Sequence, residues 1–155
     1  MEDSNVVPIY FHLSYTVQSI PNNNMDGDPF DYVVDFRMSE VVGNIIRILI
    51  DEESLFVLHR INNTEEIPQY KNIATIFYIL KSVDASIKSV FISKNEDDEL
   101  DLRFTILIPN KSVLIINMDI VTGLALSQMF EAPISITQEL FNEVCQEAEK
   151  DEDDD

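Results

Sequence analysis

Two histidines, His12 and His59, one cysteine, Cys145, and a large excess of carboxylates are the side chains of this chain that could do chemistry. One Cys and two scattered His lack the close ligand spacing of a zinc site. A Cys–His nucleophilic pair is allowed by residue type. Cys145, however, falls at helical spacing from Phe141 and beside Val144, where a thiol packs as a small apolar group rather than standing ready as a thiolate. Asn22-x-Asn24-x-Asp26-Gly27 follows the opening of a calcium loop. Its closing position would be Val33, where a bidentate Glu is required, and Pro29 intrudes, so a polar hairpin loop is the expected structure. Glu96, Asp97, Asp98, Glu99 and Asp101 crowd one turn, where carboxylates stay solvated and attract Mg2+ or Ca2+ only weakly. The glycines, at 27, 43 and 123, build neither a GxGxxG nor a P-loop phosphate cradle, and there is no GxSxG elbow.

Composition narrows the classes further. The chain has 155 residues, 45% of them hydrophobic and 25% charged, which suits one domain with a core of its own. Acids number 29 against 10 bases, a net charge of −19. Such a balance counts against a broad nucleic-acid-binding face, because phosphate affinity comes mostly from Lys and Arg. Between Glu139 and Asp155 the single base is Lys150. The run that closes this stretch repels itself and has nothing apolar to bury, so residues 149–155 are expected to form a disordered acidic tail behind a domain spanning 1–148. The start, Met1-Glu2-Asp3-Ser4-Asn5, has no basic and apolar signal region, and no apolar run reaches membrane-spanning length. The expected location is the cytoplasm.

The elements that must position these residues follow from hydrophobic periodicity. Ile9, Phe11, Leu13, Tyr15 and Val17 alternate with polar residues, which predicts a half-buried strand. A turn-rich stretch from Pro21 to Pro29 leads into a second strand, Tyr32–Phe36, paired antiparallel to the first. Ser39 is a candidate N-cap for a helix carrying Val41, Val42, Ile45, Ile46, Ile48 and Leu49 on one face, with Glu40 in its first turn. Leu55–Leu58 is apolar and of undecided type. Pro68 opens a helix that runs to about Val83. Ile87–Ser93 and Leu100–Ile108 predict a hairpin around the acidic turn, and Val113–Asn117 a further strand. Asp119 caps a helix with Ile120, Leu124, Ser127 and Phe130 on one side. Ala132–Ile136 is extended, and Thr137 caps a last helix with Leu140, Phe141, Val144 and Ala148 inward. The fold class is therefore α+β: a single domain, with a mixed sheet of about five or six strands and helices packed on it.

Ile116-Asn117-Met118-Asp119-Ile120-Val121-Thr122-Gly123-Leu124-Ala125-Leu126, followed by Ala132-Pro133-Ile134, resembles the closing segment of the bifunctional nuclease domain family. Ile79–Ile92 is similar to that family's helix-to-strand passage, and Phe36-Arg37-Met38-Ser39-Glu40 to its strand ending in an Ile-Gly-x-x-Glu motif. The resemblance covers about residues 6–148, with 51–66 as an insertion. It implies the family's α+β fold and metal-assisted phosphodiester hydrolysis, with Mg2+ or Mn2+ as the cofactor. Of the polar motif residues, only Glu40 sits where the first acidic one falls. Asp119-Ile120-Val121-Thr122 replaces the Arg-Pro-Ser-Asp turn, and the Thr-His-Asp motif aligns near Asn72-Ile73-Ala74. Glu40 and Asp119 are the remaining candidate metal ligands, and each can equally be a helix-end acid in a favourable dipole.

Two functions are weighed. One is a catalytically silent domain of this type, acting as an acidic interaction and assembly module, as a homo-oligomer or with a protein partner on its acidic surface. The alternative is a metal-dependent nuclease acting on DNA or RNA. Charge and motif loss favour the first.

Overall fold

The structure is a computed structural model that describes residues 9–23, 26–38, 45–63, 72–110 and 112–153. Its elements run β1 (Tyr10–Pro21), β2 (Phe30–Met38), β3 (Ile45–Ile50), α1 (Glu52–Asn63), α2 (Ile73–Ser82), β4 (Ser86–Lys94), β5 (Leu100–Ile108), β6 (Ser112–Met118), α3 (Ile120–Met129), β7 (Ile134–Thr137) and α4 (Gln138–Asp153). The seven strands form one sheet in the order β3-β2-β1-β7-β4-β5-β6. Every neighbouring pair is antiparallel except β4–β7, so the sheet is mixed. The fold is α+β, with one strand more than the upper expectation.

Alternation fixes which side of each strand faces the core. Phe11, Leu13, Tyr15 and Val17 of β1, Val34 and Phe36 of β2, Ile46 and Ile48 of β3, and Leu102, Phe104 and Ile106 of β5 pack with Leu58, Ile73, Leu80, Leu124 and Phe141 from the four helices. The helices thus cover one face, and β1 shows the other in Ser14, Thr16 and Gln18. Val34, Ile46, Ile73, Leu80, Val90, Leu102, Phe104, Ile106, Leu124 and Ala125 are buried in the core. Phe11, Leu13 and Phe77 are partly buried and pack at its margin.

Two of the expected elements differ, and one left undecided is assigned. Residues 45–50, expected to continue a helix, are the edge strand β3, paired with β2 from Arg37↔Ile45 to Tyr32↔Ile50. β-branched Ile45, Ile46, Ile48 and Ile50 favour that pleated surface. The expected N-cap Ser39 and first turn of that helix lie outside the described residues, as does Pro68. The undecided Leu55–Leu58 run belongs to α1, which Asp51 caps by accepting a hydrogen bond from Ser54 N at 2.7 Å. Helix α3, expected to bury one side, is buried all round from Ile120 to Ser127. It lies on β5 and is flanked by α1 and α2, and a helix apolar on every side is stable only when enclosed in this way.

Helix α3 meets the sheet at Gly123. A Cβ there would lie 2.6 Å from Leu102 Cδ1 and 2.8 Å from Leu102 Cβ, so only glycine permits this approach. With so few glycines, Asp and Asn take most of the left-handed turn positions: Asn72, Asp84, Asp98 and Asn110, with Glu131 the exception. Asp84 follows α2 and Glu131 follows α3. At both ends the next amide reaches back five residues, from Ala85 N to Leu80 O and from Ala132 N to Ser127 O, both at 2.9 Å. Lys81 lies over the rings of Phe77 and Phe130, 5.5 and 5.1 Å from their centroids, and ties the two helix ends together. Helix α4 starts at Thr137, whose Oγ1 accepts from Leu140 N at 3.2 Å, and continues to Asp153, so part of the segment expected to be a disordered tail is helical.

Candidate functional site

Asp119 is the link between β6 and α3. Its extended backbone ends the strand, and its Oδ2 accepts from Thr122 N at 3.2 Å, which caps α3 as expected. Its carboxylate is therefore engaged at the helix start. Glu40, the other candidate ligand, lies outside the described residues. Among the described residues, no group of three or more His, Cys, Asp or Glu side chains converges as a metal site would require.

The remaining candidates are separated. His12 lies on the side of β1 away from the four described helices, where its Nδ1 shares a 3.1 Å hydrogen bond with Ser135 Oγ of β7. Cys145 of α4 packs on the opposite side of the sheet, at the margin of the core. His59 is exposed on α1. The sheet thus stands between Cys145 and His12.

Both acidic loops use their polar groups to hold the chain. In the β4–β5 turn, Asn95 Oδ1 accepts from Asp97 N at 2.8 Å and from Glu99 N at 3.0 Å. Lys94 Nζ lies 3.9 Å from Asp98 Oδ1 and 3.7 Å from Glu143 Oε1, which ties this turn to α4. In the β1–β2 loop, Asn22 Nδ2 donates to Asp31 Oδ1 at 2.9 Å, and Asp28 accepts from Phe30 N at 3.0 Å and from the Tyr32 hydroxyl at 2.9 Å. Burial, then the hydrogen bond and charge of Asp28, push the Tyr32 phenol up to about 12.

Among the described residues, one fully buried charged group was not among the candidates. Asp35, on β2, is fully buried although its neighbours Val34 and Phe36 point into the core and it does not. Arg47, its register partner on β3, grips it in a fork: Nε to Oδ1 at 2.7 Å and an Nη to Oδ2 at 2.9 Å. Gln18 Nε2 of β1 donates to Oδ2 at 2.8 Å, and an Arg37 Nη stands 3.8 Å away. The Arg47 hydrogen bonds hold the Asp35 carboxyl below its ordinary range; burial opposes this, and the charges of Arg47 and Arg37 with the Gln18 amide add to it. Asp35 raises the Arg47 guanidinium in turn. Three strands are pinned at one carboxylate, which suits a structural clamp: both of its oxygens are already held.

A shallow depression of about 300 Å³ opens where β7 parts from β1, lined by Leu13, Tyr15, Ser127, Pro133 and Ile134 among others. Ser127 Oγ is used inside the fold, donating to Ala132 O at 2.7 Å.

Among the described residues, β6 presents an exposed apolar sheet edge. It ends the sheet, and Val113, Leu114, Ile115 and Ile116 are 55, 40, 66 and 37% exposed, so both of its faces and its outer side meet solvent. Ser112 and Asn117 are exposed as well, and the strand carries no charge. Periodicity placed a strand here; that it would be an edge depends on strand order, which periodicity does not reveal.

No family model matches the chain, and no curated protein matches it.

Proposed function

We propose that the chain is a divergent, catalytically silent domain of the bifunctional-nuclease type that works by binding, as an acidic interaction and assembly module. The observation that carries this reading is β6, an apolar edge strand in a chain of net charge −19. Natural sheets blunt such edges with Lys, Pro, a bulge or a covering loop unless the edge is used. The acidic body supports the same reading, since it repels polyanions and other acidic surfaces and leaves an uncharged strand as the place where contact is favourable. Asp119 is consistent with it as well: the carboxylate that the resemblance would make a ligand is engaged as a helix cap. The location fitting this role is the cytoplasm.

The test is a nuclease assay of the purified chain on single- and double-stranded DNA and RNA with Mg2+ or Mn2+. No cleavage above a mock preparation is expected. Cleavage abolished by the double change Glu40→Ala, Asp119→Ala would overturn the proposal and install the metal-dependent nuclease in its place.

A further inference from the structure

We draw no further inference here: the strongest candidate, the exposed apolar edge strand β6, carries nothing beyond the reading above, because nothing in the structure shows what covers it.

Discussion

Asp35 and Arg47 face each other across β2 and β3, with two hydrogen bonds of 2.7 and 2.9 Å between a carboxylate that is fully buried and a guanidinium that is half exposed. The arrangement is asymmetric. The arginine can turn back to water if its partner is lost, but the aspartate has no such exit. Removing Arg47 is therefore the more damaging change, because it leaves a buried charge with only Gln18 and the more distant Arg37.

Arg47→Ala is expected to destabilise the fold by about 3 kcal/mol, as for a buried pair that loses one member. Urea unfolding followed by circular dichroism measures this. A loss below about 1 kcal/mol, the range of a surface ion pair, would show that Asp35 is not buried as described.

The same pair predicts a pH dependence of known sign. The Asp35 carboxyl titrates lower when folded than when unfolded. The unfolded chain therefore takes up the proton first as pH falls, and the pair's stabilisation is complete above the unfolded value of about 3.9. It is lost as pH drops through the folded value. The stability difference between the unaltered chain and Asp35→Asn should be constant from neutral pH to about pH 5 and shrink below about 4. A difference that grew in acid would contradict the direction of the shift.

Gly123→Ala is expected to destabilise by about 2 kcal/mol through overpacking. Leu102 Cδ1 can rotate away from the new methyl group, but Leu102 Cβ, at 2.8 Å, moves only with strand β5. Thermal unfolding at neutral pH reads the effect, and a neutral result would mean that α3 sits farther from the sheet.

Glu131→Gly is expected to stabilise by about 1 kcal/mol. Glu131 holds a φ of 54° just beyond α3, where a glycine carries no Cβ strain, while Ala132 N and Ser127 O close the helix end through backbone alone. Glu131→Val should destabilise at the same position. The two melting temperatures should bracket that of the unaltered chain, and any other order would count against a left-handed residue here.

Local chemistry made several parts of this fold legible in one dimension. β1 and β5 alternate over a full strand length, so their inward residues followed from the period of two. Asp119 and Thr137 were legible as caps because a cap uses only neighbours a few residues away, and the structure shows both carboxylate and hydroxyl receiving the expected amide. The residues at 45–50 were not legible, because Ile45, Ile46, Ile48 and Leu49 satisfy a helical face and a fully apolar strand equally well. Pairing with β2 decides between them, and pairing is a non-local event. For Asp35 the sequence shows an acid set between apolar Val34 and Phe36. Its partners Gln18 and Arg47 lie 17 and 12 residues away, and strand register alone brings them to one point. Strand order likewise decided that β6 is an edge. Composition determined that the chain is acidic and apolar enough for a core, while tertiary structure decided which apolar strand was left facing water, because that depends on which neighbours the others found.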